Sequence, residues 1–154
     1  MILIKSLYKK FDKNLVLNGI DLTISQGNVF GILGPNGSGK TTLLKAILGM
    51  VIPNGGIIEV FGENISKSSN YRHNIGYLSQ SANFPQNLKV YELFALIKNI
   101  RNKQSSYKEL VERFKLDEHL NKKMNSLSGG TKQKINIALA FMFDSPIIIL
   151  DEPT

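Results

Sequence analysis

The chain has 154 residues, of which 42% are hydrophobic, 20% are charged and none is cysteine. This length and apolar content suit one globular domain and exclude disorder as the main state. The lack of cysteine excludes disulfides, a thiol nucleophile and zinc sites built on thiolates. No apolar run approaches the roughly 20 residues that span a bilayer, and residues 1–5 do not resemble a signal peptide. We therefore expect a soluble, cytoplasmic protein.

The formal charge of +7 does not indicate a nucleic-acid partner. Basic residues outnumber acidic ones by 8 to 4 in residues 1–80 and by 11 to 8 in residues 81–154. Because this excess is evenly spread and no basic run exceeds two residues, a solvated lysine surface explains it better than a DNA-binding stripe. An acidic small ligand such as a nucleotide is also compatible with it.

The first half of the chain is predicted to form strands around one helix. Alternating or continuous apolar residues predict strands over residues 2–8, 15–25, 29–33, 57–61 and 75–79. The continuous run at 29–33 is typical of a strand that is buried on both faces. A glycine-rich loop follows it, and helical spacing over residues 41–48 predicts a helix that ends at Gly49.

The second half is predicted to be mainly helical. Val90, Leu93, Phe94 and Ile97 have the spacing of a helix that faces a core. Ser106 and Glu109 fit a capping box that begins a second helix. A third, buried helix is predicted over residues 130–143, and residues 147–150 are predicted to form a buried strand.

The motif that carries the most chemical information is the glycine-rich loop, which fits the pattern G-x-x-x-x-G-K-[ST]. It reads Gly34-Pro35-Asn36-Gly37-Ser38-Gly39-Lys40-Thr41. Glycines allow the backbone N–H groups to point inward at an anion, and the positive end of the following helix faces the same anion. Lys40 would neutralise the β- and γ-phosphates, and the Thr41 hydroxyl would reach Mg²⁺. The strand before the loop and the helix after it favour a phosphate site over a surface turn.

Two further segments could contact such a ligand. Asp151 and Glu152 follow a buried strand, at the edge where α/β sheets bind ligands. Asp151 would accept Mg²⁺ or its water, and Glu152 would polarise the attacking water. Leu127-Ser128-Gly129-Gly130 opens a buried helix and forms a second anion-ready helix N-terminus. Taken alone, each segment is more often an ordinary turn or helix cap.

The order of these motifs resembles the nucleotide-binding domain of ABC (ATP-binding cassette) transporters along the whole chain. The phosphate loop corresponds to that family's Walker A motif, and Ile147–Leu150 with Asp151 and Glu152 corresponds to Walker B. The resemblance implies that two domains pair head to tail. Each would lend its Leu-Ser-Gly-Gly helix to the ATP held on the other's phosphate loop, which would explain the second anion site.

The resemblance also implies roles for single residues. Gln80 matches the glutamine that touches Mg²⁺ and the water, and Phe11 stands where the family places an aromatic that stacks on adenine. A core aromatic is the rival interpretation of Phe11, and Tyr8 is the alternate stacking residue. Thr131 departs from the family's usual glutamine, a change that we expect to tune contact with the partner. The nucleotide-binding residues implied are Gly34, Pro35, Asn36, Gly37, Ser38, Gly39, Lys40, Thr41, Thr42, Phe11, Ser128, Gly129 and Gly130. Glu152, Lys40 and Gln80 are the catalytic candidates, and Thr41, Gln80 and Asp151 are the metal ligands.

The fold implied is α/β: a P-loop NTPase (RecA-like) core with an N-terminal antiparallel β subdomain and a helical ABC-specific subdomain. We expect the β subdomain and phosphate-loop core in residues 1–85, the helical subdomain in 86–128, and the signature helix with the Walker B strand in 129–154. Family members continue past Walker B into another core strand and a switch histidine. We therefore expect a chain truncated from a longer protein, in which residues 147–150 lack a neighbouring strand.

The function implied is that of the ATP-binding and ATP-hydrolysing subunit of an ABC transporter, with ATP and Mg²⁺ as cofactors. A second ABC ATPase domain and a transmembrane permease would be the partners, at the inner face of the cell membrane. The segment around Leu127 is also similar to that of ATPases from copper-site maturation exporters of the nitrous oxide reductase type. The alternatives are a non-transport ABC ATPase acting on ribosomes or DNA, and an inactive nucleotide-binding fragment. Residues 1–154 by themselves are expected to show little or no turnover.

Overall fold

A computed structural model gives the structure of the chain and describes residues 1–152. The chain divides into two compact units, residues 1–72 and residues 73–154. Pro153 and Thr154, which complete the predicted Walker B segment, lie outside the described residues. Within residues 1–152, no helix has the length and apolar content needed to cross a membrane.

The first unit is built on an antiparallel sheet of four strands in the order β2-β1-β3-β4. The strands are β1 (Ile2–Phe11), β2 (Asn14–Ile24), β3 (Gly55–Val60) and β4 (Glu63–Asn64). In β1, Ile2 and Ile4 are buried while their neighbours are more exposed, as expected when alternate side chains face the core. The predicted strands of residues 2–8, 15–25 and 57–61 are therefore confirmed, with ends shifted by up to three residues.

Helix α1 (Lys40–Ile47) begins directly after the glycine-rich loop. It buries Leu43, Ala46 and Ile47, which share one face of the helix, and the predicted helix is confirmed. Gly49 adopts a φ of +68° and its N–H bonds the Ala46 carbonyl at 3.0 Å, so the helix ends as predicted.

The strand predicted over residues 29–33 is wrong. This segment has no regular secondary structure, and Val29 and Leu33 are 103% and 95% exposed. An apolar run becomes a strand only when a neighbouring strand takes up its backbone hydrogen bonds. None of the strand pairings formed by residues 1–152 includes this segment.

Strand β4 was not predicted, because its two polar residues carry no apolar pattern. It forms because Phe61 and Gly62 have φ angles of +52° and +82°, the left-handed conformation at both central residues of a tight hairpin turn. The turn brings Glu63 opposite Val60.

The second unit contains a parallel pair, β5 (Ile75–Leu78) and β6 (Ile147–Leu150), with Ile75 opposite Ile147. Residues 147–150 therefore have a neighbouring strand, and the expectation that they lack one is wrong. Helices α2 (Val90–Arg101), α3 (Tyr107–Arg113) and α4 (Gly129–Phe141) complete this unit. All three occur where the sequence predicts helices.

The core of the second unit lies among these helices. Its buried residues are Val90, Leu93, Phe94, Val111, Leu116, Met124, Leu127, Ile135, Ala138, Met142 and Phe143. Helix α4 packs closely on β5: a methyl group added at Gly76 would lie 2.1 Å from the Ala140 carbonyl oxygen. This contact between backbones requires glycine at position 76.

The capping box predicted at Ser106 and Glu109 is wrong. Ser106 immediately precedes α3, but its side chain makes no capping hydrogen bond to that helix, and its hydroxyl lies 3.5 Å from the Met142 carbonyl. Glu109 instead pairs with Arg113 at 3.7 Å. Ser106 has a ψ of 22°, far from the extended conformation in which a capping hydroxyl meets the helix N–H groups.

Candidate functional site

The glycine-rich loop packs against strand β2 at Gly39, where the backbone of the loop comes close to the strand. Gly39 precedes α1 with φ +93° and ψ 4°, and Gly37 has φ +83°. A methyl group at Gly39 would lie 3.0 Å from the Val16 carbonyl oxygen and 3.2 Å from Leu17 Cδ2, both on β2. Gly39 is therefore required both by its left-handed backbone and by its close approach to β2.

The loop ends at a helix terminus suited to an anion. The N–H groups of the first turn of a helix are not used by the helix ladder, and the dipole makes this end positive. Helix α1 has no acidic residue in its first turn and carries Lys45 in its last. No carboxylate in this turn competes with an anion for its positive end.

Lys40 places its positive charge on the loop. Its Nζ donates hydrogen bonds to the Gly34 carbonyl at 2.9 Å and to the Pro35 carbonyl at 3.1 Å. The Pro35 carbonyl also accepts from the Ser38 N–H at 3.2 Å, which closes a turn. The lysine ammonium and the first two residues of α1 thus belong to one eight-residue segment, residues 34–41.

The two aromatic candidates on β1 differ in their surroundings. Phe11 is 45% exposed at the end of the strand, and Lys9 Nζ lies 4.7 Å from its ring centre. The ring is thus not part of a core, which removes the rival interpretation of Phe11. Tyr8 is 42% exposed, but its hydroxyl covers Gly19. Phe11 is therefore the ring whose surroundings are more open.

The second unit brings together residues that are far apart in sequence. Asp151 follows β6 and its N–H donates to the Leu78 carbonyl at 3.0 Å, which extends the pairing of β5 with β6. Its carboxylate is buried, with 3% of the residue exposed, and Oδ2 accepts a hydrogen bond from the Tyr77 hydroxyl at 3.3 Å. Burial, then the negative charge of Asp151 and the hydrogen bond to it, raise the pKa of Tyr77 above its usual value.

Glu152 has a different partner from Asp151. It is exposed, and its Oε2 accepts a hydrogen bond from Gln80 Nε2 at 2.5 Å. Its φ of +46° is unusual for a residue with a side chain, and such conformations cluster at functional sites. The structure therefore brings the predicted Gln80 and Glu152 into direct contact.

Two residues that sequence reasoning missed support this edge of β5. Tyr77 contacts Asp151, and Asn136 of α4, which is 5% exposed, donates from Nδ2 to the Ser79 carbonyl at 2.9 Å. Asn136 fixes the backbone next to Gln80. The sequence feature that could have identified Asn136 is its position as a single polar residue within the apolar segment 135–140 of a buried helix.

The Leu-Ser-Gly-Gly segment begins α4 as a capped terminus. Ser128 precedes the helix, and its Oγ accepts from the Thr131 N–H at 3.2 Å and lies 2.9 Å from Thr131 Oγ1. Thr131 thus bonds the serine side chain directly. Gly129 and Gly130 are exposed, and apart from the adjoining backbone of α4 a methyl group added at either position would meet no atom of the described residues within 4 Å.

Sequence comparison relates the chain to known proteins. Residues 17–154 match the ABC transporter family. The chain is 34% identical to a Nod factor export ATP-binding protein I of Burkholderia lata over 97% of its own length and 51% of that protein's. It is equally identical to the protein of that name from a Rhizobium species, strain N33, over 95% and 50%. The chain thus spans about half the length of the curated relatives that it matches.

Solved structures agree in fold. An ATP-binding subunit of an ABC transporter superposes with a TM-score of 0.89 at 27% identity, over 99% of this chain and 66% of that one. The cassette MJ0796, solved as a dimer in a post-hydrolysis state with ADP and Pi, gives 0.83 at 29%, over 100% and 75%. The expected α/β fold class with a P-loop NTPase core is confirmed.

Proposed function

Because this chain belongs to the ABC transporter family, we propose that it is the ATP-binding and ATP-hydrolysing part of a transporter subunit. ATP-driven pairing of two such domains would energise a permease at the inner face of the membrane. The observation that carries this proposal is the loop of residues 34–41, which combines left-handed glycines, a lysine and a helix N-terminus. The curated relatives are named for export, which supports an exporter.

The phosphate tail is assigned to the loop and to the first turn of α1. The ammonium of Lys40 already lies on the loop carbonyls, from which a γ-phosphate would draw it by charge. The adenine is assigned to the exposed ring of Phe11. The residues assigned to the phosphates are Gly34, Pro35, Asn36, Gly37, Ser38, Gly39, Lys40, Thr41 and Thr42.

The residues proposed to hold Mg²⁺ offer only oxygen atoms, which this hard cation prefers. They are the Thr41 hydroxyl, the Asp151 carboxylate and the Gln80 amide oxygen. Gln80 uses Nε2 to donate to Glu152, which orients its amide oxygen away from that carboxylate. The donor set therefore fits the cation, which would supply positive charge to the β- and γ-phosphates.

Glu152 is proposed to position and polarise the attacking water. It is an exposed carboxylate that accepts a hydrogen bond from Gln80, and a carboxylate has several lone pairs, one of which could accept a water proton. Lys40 and the loop N–H groups would stabilise the charge that spreads over the transferred phosphoryl group. Gln80 would thus contact both the metal and the residue that orients water.

The glycines at the start of α4 are the basis for proposing that a second domain pairs with this one. Nothing within residues 1–152 comes close enough to require glycine at positions 129 and 130, and neither residue has a positive φ. Glycine costs about 1 kcal/mol relative to alanine inside a helix. Close approach of a ligand from outside the domain would explain this pair, and we assign Ser128, Gly129 and Gly130 to the γ-phosphate of the partner domain's ATP.

The test is Glu152→Gln in the full-length protein, with steady-state phosphate release and equilibrium ATP binding both measured. Loss of a positioned base is expected to slow hydrolysis at least about 100-fold, while ATP affinity stays within about twofold. Glu112→Gln, an exposed acid on α3, is the matched control and should retain both. Wild-type hydrolysis in Glu152→Gln would remove Glu152 from its role. The same assay on residues 1–154 tests the expectation that they alone have little or no turnover.

A further inference from the structure

Tyr77 and Asp151 form a pair across two parallel strands. Tyr77 lies opposite Ile149 in the register of β5 and β6. Side chains two residues apart on a strand share a face, so Asp151 follows Ile149 on the face that carries Tyr77. The Tyr77 hydroxyl donates to Asp151 Oδ2 at 3.3 Å as a result.

This bond restricts the rotation of the Asp151 carboxylate. The Asp151 backbone is fixed by its N–H bond to the Leu78 carbonyl, and the side chain is buried. Rotation about the bond that carries the carboxylate is a broad, twofold torsion and is not fixed by rotamer preference. A donor at Oδ2 sets the plane of the group and with it the direction of Oδ1.

We propose that Tyr77 is a positioning residue that orients the Asp151 carboxylate for a divalent cation. The inference rests on the proposed function, since it needs Asp151 to be a metal ligand. Groups that hydrogen-bond to metal ligands typically change metal affinity by 10–100-fold when removed. Because a single bond of 3.3 Å is a weak one, we expect the lower limit of this range. Removal of the hydroxyl should therefore lower the affinity for the cation about tenfold.

Tyr77→Phe removes this hydroxyl and keeps the ring. The chain also offers a matched control, because the Tyr91 hydroxyl donates to Glu92 Oε1 at the same 3.3 Å. That bond lies on the exposed surface of α2 and involves no proposed metal ligand. Comparison of Tyr77→Phe with Tyr91→Phe separates the loss of a tyrosine–carboxylate bond from the loss of the particular bond to Asp151.

The experiment uses the full-length protein loaded with ATP and titrated with Mn²⁺, with free Mn²⁺ followed by electron paramagnetic resonance. Metal-free ATP affinity and the melting temperature are measured alongside. We expect Tyr77→Phe to raise the Mn²⁺ dissociation constant about tenfold and to leave metal-free ATP affinity unchanged. Tyr91→Phe should change neither quantity.

The Mg²⁺ dependence of hydrolysis gives a second readout. If only metal positioning is lost, excess Mg²⁺ restores the wild-type rate to Tyr77→Phe. A rate that stays low at saturating Mg²⁺, or an unchanged Mn²⁺ affinity, would overturn the inference. Should wild-type protein bind Mn²⁺–ATP while Tyr77→Phe behaves identically, only the role of Tyr77 fails. Should wild-type protein bind no metal–nucleotide, the proposed function fails with it.

Discussion

The phosphate loop and the acid pair are built in opposite ways. The loop of residues 34–41 is continuous in sequence, and its shape depends on glycines and on the helix that begins within it. The acid pair depends on partners more than 70 residues away, since Asp151 contacts Tyr77 and Glu152 contacts Gln80. The motif therefore accounts for the shape of the loop, whereas the pairing of β5 with β6 brings the two acids to their partners.

The two regions should therefore be sensitive to different substitutions. The proposed phosphate binding of the loop should be lost through substitutions within residues 34–41 themselves. The contacts of Asp151 and Glu152 should also be lost through substitutions at other positions, if those substitutions displace β5 or α4, which packs on β5. Substitutions in each region test this contrast.

Gly76→Ala should destabilise the second unit most. The new methyl group would lie 2.1 Å from the Ala140 carbonyl oxygen and 2.7 Å from Ile148 Cδ1. Backbone atoms cannot give way cheaply, so we expect a loss of about 3 kcal/mol or more in the free energy of unfolding, measured by urea denaturation. Gly27→Ala, where a methyl group meets nothing within 4 Å, should cost much less. Equal losses in both variants would show that α4 does not hold β5.

Lys40→Ala should weaken ATP binding without affecting the fold. A hydrogen bond to a charged group is worth about 1.5–3 kcal/mol, which corresponds to roughly 10–100-fold in affinity. Isothermal titration of the full-length protein with ATP measures this change. Lys45→Ala removes the same charge from the last turn of α1 and should leave the affinity unchanged. An unaltered ATP affinity in Lys40→Ala would argue against phosphate at this loop.

Gly39→Ala should cost about 2 kcal/mol in stability, because a left-handed backbone alone costs an alanine about 1–2 kcal/mol. The contact with the Val16 carbonyl at 3.0 Å adds to this cost. Gly27, with φ +80° and open surroundings, isolates the conformational part. Thermal unfolding of both variants gives the comparison. If Gly39→Ala is no less stable than Gly27→Ala, the loop is not packed on β2 in solution.

Gly130→Ala should have the smallest effect on stability, and it should stabilise the protein where the other glycine substitutions destabilise it. Apart from the adjoining backbone of α4, the added methyl group meets no described atom within 4 Å. Because alanine favours the helix, stability should rise by about 0.5 kcal/mol. Hydrolysis should nevertheless fall, because the methyl group would obstruct the partner's ATP. A stabilised variant with wild-type hydrolysis would remove Gly130 from the proposed contact.

Much of the fold could be predicted because most elements bury a regular apolar face. The periodicity of residues 90–97 and the compact apolar run of β6 were sufficient to place α2 and β6. The strand predicted over residues 29–33 failed because a strand depends on its neighbour, and apolar content alone does not identify one. The Phe61–Gly62 turn was missed because phenylalanine is not a typical residue for a positive φ.

The residues of the candidate site also fall into those that the sequence could predict and those that it could not. The residues of the loop and the acid pair follow from motifs, because spacing in the sequence reflects the chemistry directly. Tyr77 and Asn136 could not be assigned in this way. Their roles follow from the register of β5 on β6 and from the packing of α4 on β5, which are properties of the folded chain.

We propose that backbone N–H groups within residues 34–42 bind the phosphate tail of a nucleotide. The most direct measurement records the backbone amide resonances of the full-length protein during titration with ATP and, separately, with adenosine. If the phosphate tail binds there, the amide resonances of Gly37, Gly39 and Lys40 will shift strongly with ATP and will not shift with adenosine. Resonances that remain fixed at saturating ATP, or that move equally with adenosine, would contradict it.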